Sequence, residues 1–192
     1  MTDRIAPIYN FIYRGQLTEE ALDAAGRAHK PSTLGDSEIG RALSLELFDE
    51  EMLESAREMS IVYAAIAAFE HSARAFVSRV LIDEFAEGWW DKVSDSIRRF
   101  AEGRRDEEEK TKWHGVRGED LLSYTELKHL PQIMGQHFDL FEPNIRSQEW
   151  AKSIFTTIER SRNVIMHSGT LDLPDIERIG ILMRDWNKQV GL

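Results

Sequence analysis

The chain has 192 residues, 34 acidic against 24 basic side chains, a net charge of −10 and no cysteine. That is enough chain for one domain with a terminal extension and a core that needs no staples, and it excludes disulfides and thiolate–metal sites. The acidic balance argues against a general nucleic-acid binder, whose affinity for phosphates comes from Lys and Arg, but leaves room for an enzyme holding a few phosphates in one local basic pocket.

Residues 1–40 are mixed in character and are expected to form a partly helical N-terminal extension. Met1 to Pro7 has no apolar core of signal-peptide length. A short helix is predicted from Thr18 to Ala28, with Thr18 as N-cap and Glu19 and Glu20 in the first turn. Lys30 to Gly35 reads as a loop. Asp36 or Ser37 would cap the next helix, which carries Ile39, Leu43 and Leu47.

Residues 41–192 are expected to form one all-α helical bundle around a long central helix. Val62, Ile66, Phe69, Ala73, Phe76 and Val80 alternate in steps of four and three, which makes one apolar stripe and predicts a helix from Asp49 to Phe85. Ala64, Ala65, Ala67 and Ala68 keep its sides thin enough for neighbouring helices to approach. The longest apolar run, Ile61 to Phe69, is closed by Glu70. A membrane span needs about 20 apolar residues, so this segment is expected to be a buried helix in a soluble protein. A chain without cysteine also suits a reducing cytoplasm.

Gly88 is predicted to end the long helix, and Trp89 and Trp90 to anchor the loop behind it. A further helix is expected from about Asp91 to Ala101. Arg104 to Gly118 holds a mixed charge run, which reads as a solvated helix end or mobile loop; a flexible arm touching RNA is the functional alternative. Ser123 to Phe141 is helical in pattern and is broken or restarted at Pro131. Ser147 looks like an N-cap for a helix carrying Trp150, Ile154, Ile158 and Ile165, closed at Gly169. Pro174 opens a last helix, to about Val190, that buries Ile179, Leu182, Trp186 and Val190.

The chemistry-bearing segment is Glu159-Arg160-Ser161-Arg162-Asn163-Val164-Ile165-Met166-His167-Ser168-Gly169. Asn163 and His167 are four apart and share a helix face. Arg162 lies about 140° round from His167 on an ideal helix, so the two flank an edge and do not stack. Breaking an RNA backbone needs a base for the 2′-hydroxyl proton and an acid for the leaving oxygen, and histidine can be either. Arginine grips phosphate through its planar fork, and asparagine can orient the histidine or the phosphate. One chain supplies one histidine here; a two-fold dimer would supply two. The plainer alternative is a C-terminal cap, since Arg and His offset the helix dipole and bind free carbonyls.

Arg162-Asn163-Val164-Ile165-Met166-His167 resembles the Arg-x(4–6)-His signature of the HEPN superfamily. Several further elements resemble its Swt-type branch, in order: Glu70-His71-Ser72-Ala73-Arg74, Gly88-Trp89-Trp90, Tyr124-Thr125-Glu126-Leu127 with Leu130, and Trp150. The resemblance covers roughly residues 45–190. It implies an all-α, HEPN-like fold and a homodimer whose two motifs face one cleft. It implies a metal-independent endoribonuclease, with RNA as substrate, in a toxin–antitoxin or phage-defence setting, where an antitoxin or regulatory protein is an expected partner. By position, His167 is then the acid/base, Arg162 holds the scissile phosphate and Asn163 orients the site, while Glu70 and Arg74 support them. Read without the resemblance, Glu70 and Arg74 are an i, i+4 pair worth about 0.3–0.5 kcal/mol if exposed.

His29, His71, His114, His129 and His137 are scattered without metal-ligand spacing, so neither a metal site nor a cofactor is expected. Ser161 and Ser168 flank the motif without a nucleophile elbow. The competing function is a non-catalytic interaction or dimerisation module that binds a protein partner or a nucleotide.

Overall fold

The computed structural model describes Thr18 and residues 35–191. The rest of the expected helix Thr18–Ala28, and His29, lie outside the described residues. Two compact units meet in the chain between Leu53 and Glu54. Among the described residues there are seven α-helices, three 3-10 turns and no strand.

Before the boundary, helix α1 spans Asp36–Ala42. Gly35 caps it, with its N–H donating to the Glu38 carboxylate at 3.1 Å, so Asp36 is already helical and neither it nor Ser37 is the cap. Leu47 is not on this helix. Ser44 turns the backbone left-handed (φ 52°) and Leu45–Leu47 forms a separate 3-10 turn. Ile39, Leu43 and Leu47 are all exposed.

Helix α2, Glu50–Phe85, is the long element that the apolar stripe predicts. Asp49 starts it by accepting from the Glu51 N–H at 3.0 Å. Val62, Ile66, Phe69, Ala73 and Phe76 are buried; further on, Val77 and Leu81 take the inward positions and Val80 is half-buried. The thin alanine sides are exposed at Ala64, Ala65, Ala67 and Ala68, so the close helix approach expected there is not made among the described residues. The helix also ends earlier than Gly88. Ala86 adopts φ 52° and a 3-10 run follows over Ala86–Lys92, so a left-handed alanine makes the turn expected of the glycine. Trp89 and Trp90 pack edge to face at 5.4 Å and lie half-buried against the core.

Helix α3 spans Asp95–Glu109, past the expected end at Ala101, so the first part of the charge run is the helix end, of the two alternatives, and not a loop. Its acidic tail is solvated, while Ile97, Ala101 and Arg104 share the face turned inward. A 3-10 turn at Leu121–Tyr124 is followed by α4, His129–Gln136. Pro131 sits in the first turn of α4, where its missing N–H costs nothing, so it begins this helix and does not break one. Helix α5 is the single turn Phe138–Phe141. Helix α6, Gln148–Met166, starts where expected: the Ser147 hydroxyl accepts from the Trp150 N–H at 3.1 Å. Helix α7, Leu173–Val190, is capped by Asp172, one residue before the expected start, with Pro174 in its first turn.

Trp186 of α7 holds these helices together. It is fully buried and meets Phe69 and Phe76 of α2 edge-on at 6.0 and 5.7 Å, meets Phe155 of α6 at 5.1 Å, and stacks on Trp150 at 6.0 Å. Its indole Nε1 has no partner, so the residue stabilises through ring contact alone. Phe69 also meets Phe155 at 5.4 Å, so α6 is pinned across α2 at the level of Glu70. Arg162, two turns beyond Phe155, projects from the same face. No helix among the described residues is long and apolar enough to cross a membrane. Trp186→Ala is expected to cost about 3–5 kcal/mol, read as a lower urea midpoint at constant m-value.

Candidate functional site

The end of α6 is closed by paired turn hydrogen bonds. The Ser168 N–H donates to the Ile165 carbonyl at 3.0 Å, and the Gly169 N–H donates to the Val164 carbonyl at 2.8 Å. This is the two-bond closure of a Schellman motif. Its left-handed residue is Ser168 (φ 61°), not Gly169. Glycine is needed at 169 for space: a Cβ there would lie 2.7 Å from Val164 Cγ1 and 2.9 Å from the Val164 carbonyl oxygen. His167 is the last residue before the reversal and is exposed, as is Asn163; Arg162 is half-buried.

Glu70 faces Arg162 across the gap between α2 and α6. Its Oε2 lies 3.7 Å from Arg162 Nε, and its Oε1 accepts from Arg74 Nη2 at 2.5 Å. Arg74 in turn donates to the Thr125 hydroxyl at 2.7 Å, to the Thr125 carbonyl at 3.0 Å and to the Leu122 carbonyl. Glu70 and Arg74 are therefore not the exposed pair that their spacing alone describes. They are partly buried and tie α2 to the 121–125 segment on one side and to α6 on the other. Charge-assisted bonds of this kind are about twice as strong as neutral ones.

These residues line a cleft of about 650 Å³. Arg74, Arg104, Arg117, Lys128 and Arg162 line it, against the carboxylates Glu70, Glu126 and Glu159. A chain of net charge −10 thus gathers a local excess of cations at one place. His71 and Tyr63 complete part of its wall. His167 does not line it. His167 belongs to an adjoining groove of about 520 Å³ with Thr156, Arg160 and Val164. Glu159 and Asn163 line both depressions. The structure thus gathers Arg162, Asn163, Glu70 and Arg74 in one cleft and sets His167 just over the ridge that Asn163 and Glu159 form.

Four titrations in and beside the cleft are displaced. Burial pushes the Glu159 carboxyl up, with Lys128 and Arg162 opposing. The hydrogen bond from Lys128 holds Glu126 low, and Lys128 is raised in return. Burial pushes His129 down; its Nδ1 accepts from the Glu126 N–H at 3.0 Å and its ring lies 4.7 Å from that of Phe100. His114 and His137 lie outside the cleft: His114 Nδ1 is 3.0 Å from the Gly115 carbonyl and His137 Nε2 3.0 Å from the Lys92 carbonyl. Among the described residues no group of three or more His, Asp or Glu side chains is placed to hold a metal ion. Ser161 is buried and donates back to the Thr157 carbonyl at 3.1 Å.

Sequence reasoning missed Arg104, Arg117, Lys128, Glu126 and Glu159 as cleft residues. One signal was present for Arg104: it continues the Ile97–Ala101 face, so a guanidinium sits where an amphipathic helix should be apolar.

Residues 64–191 match the family of Swt1-like HEPN domains. No curated protein and no solved structure matches the chain.

Two outcomes test this geometry. Gly169→Ala is expected to destabilise by about 1–3 kcal/mol, because Val164 must give way; thermal unfolding checks it. For Glu159, a folded-state carboxyl raised above its unfolded value contributes stability that is lost as pH rises through the folded titration. Glu159→Gln is therefore expected to be more stable than wild type at pH 7, and the gap to close as pH falls into the ordinary carboxylate range, read by urea unfolding across pH.

Proposed function

The chain belongs to the Swt1-like HEPN family, and on that premise we propose that it is a metal-independent endoribonuclease working as a homodimer with a composite site. The observation that carries this reading is the cation-rich cleft, with Arg162 held by Glu70, at the end of the helix that also bears Asn163 and His167. Phosphodiester binding asks for that charge, and the cleft gathers five cationic side chains in a chain of net charge −10.

In this reading the Arg162 guanidinium binds the non-bridging oxygens of the scissile phosphate. Glu70 fixes its plane, and Arg74 fixes Glu70. One His167 takes the proton from the 2′-hydroxyl, whose oxygen attacks phosphorus. The bond to the 5′-oxygen breaks, and that oxygen receives a proton from the His167 of the second copy. The products are a 2′,3′-cyclic phosphate and a 5′-hydroxyl. Asn163, on the ridge between cleft and groove, orients the phosphate relative to the imidazole. Since Arg162 and His167 open into adjoining depressions of one chain, two copies packed along α6 would merge those depressions into one groove with two histidines. Family setting and chemistry together point to a toxin or phage-defence effector acting on cytoplasmic RNA, held in check by an antitoxin or regulatory protein.

A specific observation also favours an interaction surface. Met166, next to His167 in the chain, and Leu173, at the start of α7, are exposed, as suits a face that another chain covers. A non-catalytic binding module is the second reading, and one experiment separates the two. Purified protein is incubated with RNA in EDTA. Cleavage to cyclic-phosphate ends is expected, with His167→Ala and Arg162→Ala each at least about 100-fold slower. Cleavage that persists in His167→Ala removes the catalytic assignment, and no cleavage by wild type leaves the binding module.

A further inference from the structure

Two groups of the same design stand side by side in the cleft. In the first, the Glu70 carboxylate is shared by Arg74 at 2.5 Å and Arg162 at 3.7 Å. In the second, the Glu126 carboxylate is shared by Lys128 at 2.5 Å and Arg104 at 2.8 Å. Each sets two cations against one carboxylate, and Glu159 stands with them as a third carboxylate against the four cations. The groups are joined through the backbone, because Arg74 binds Thr125 and the next residue is Glu126. Glu159 feels members of both: Lys128 and Glu126 on one side, Arg162 and Glu70 on the other.

We propose that Arg104 and Lys128 form a second phosphate subsite beside that of Arg162, so that the cleft takes single-stranded RNA across at least two consecutive phosphodiesters. This rests on reading the cleft as the ribonuclease site. Two cation pairs, one in each group and set apart along the cleft, suit the single charges of consecutive phosphodiesters. A nucleoside diphosphate or triphosphate would bring several charges to one group and leave the other unused. Arg104 is pre-organised, its guanidinium lying 4.4 Å from the Phe100 ring centroid and tied to Glu126. Lys128 is more exposed, with its ammonium held at the cleft by Glu126. Tyr63, at the wall of the same cleft, offers an aromatic face for an unstacked base. Arg104 and Lys128 act here as positioning residues: they fix the register of the strand and leave the bond chemistry to the α6 end.

The test measures binding of the full-length protein to an all-2′-O-methyl oligonucleotide, which lacks the attacking hydroxyl, by fluorescence anisotropy across salt. Lys128→Ala and Arg104→Gln are each expected to reduce the salt slope by about 0.7, the value for one phosphate on a single strand. Each should weaken binding up to about fivefold, the size of one exposed ion pair, while Lys128→Arg restores it. Binding of uridine 3′-monophosphate should stay unchanged in both variants. Equal loss for the monophosphate, or an unchanged oligonucleotide slope in Lys128→Ala, overturns the subsite. Tighter binding of ADP than of the oligonucleotide, lost in Lys128→Ala, overturns it in favour of a nucleotide pocket. Wild type that binds with the expected slopes but does not cut unmodified RNA removes the ribonuclease reading and leaves the subsite standing.

Discussion

The site depends on one carboxylate shared between two guanidiniums. Glu70 touches Arg74 on its own helix and Arg162 on α6, so it both closes the bundle and sets where Arg162 can point. A partly buried carboxylate of this kind is tolerated only because its partners are charged and close. Those partners are anchored in turn: Arg74 reaches three acceptors on the 121–125 segment. Removing either arginine would leave the carboxylate facing too little compensation, which is why architecture and site cannot be separated here.

Packing delivers the helices to that contact. Trp186 takes edge contacts from both α2 and α6, and the Phe69–Phe155 pair fixes the level at which they cross. Glu70 follows Phe69 directly and Arg162 lies two turns past Phe155. The polar contact is thus built one residue along α2 and two turns along α6 from the apolar one, with the aromatic core acting as its ruler. The chain carries a net charge of −10, and against that background a phosphate meets a local gathering of cations where Arg74, Arg104, Arg117, Lys128 and Arg162 converge.

Local features were the ones legible in the chain. The apolar stripe of α2, the Ser147 cap and the buried face of α7 follow from neighbours within a few residues, so periodicity and capping chemistry expose them. The all-α bundle around a long helix follows from the same signals. The Arg162 segment was legible as a motif, and its relation to Glu70 was open because it depends on a helix crossing. The second half of the cleft was hidden for a different reason. Arg104, Arg117 and Lys128 come from segments distant in sequence, and their charge reads locally as solvated surface. The long helix ends at Phe85 as its stripe predicts, but the left-handed turns after it and after His167 are made by Ala86 and Ser168 and not by the glycines expected there, against the usual cost of that conformation.

The closure after His167 also imposes a rule of phase. Each residue turns the chain by about 100° in a helix, and the Ser168 and Gly169 bonds return to carbonyls at Ile165 and Val164. Adding or deleting one residue between Asn163 and Gly169 would therefore swing the imidazole a quarter-turn or more round the rod, away from the ridge, while leaving the bundle's interior untouched. The tolerance of this stretch to length change is set by rotation, not by packing volume: a chain with a different number of residues between its arginine and its histidine must end its helix in a different way to aim the ring at the same place.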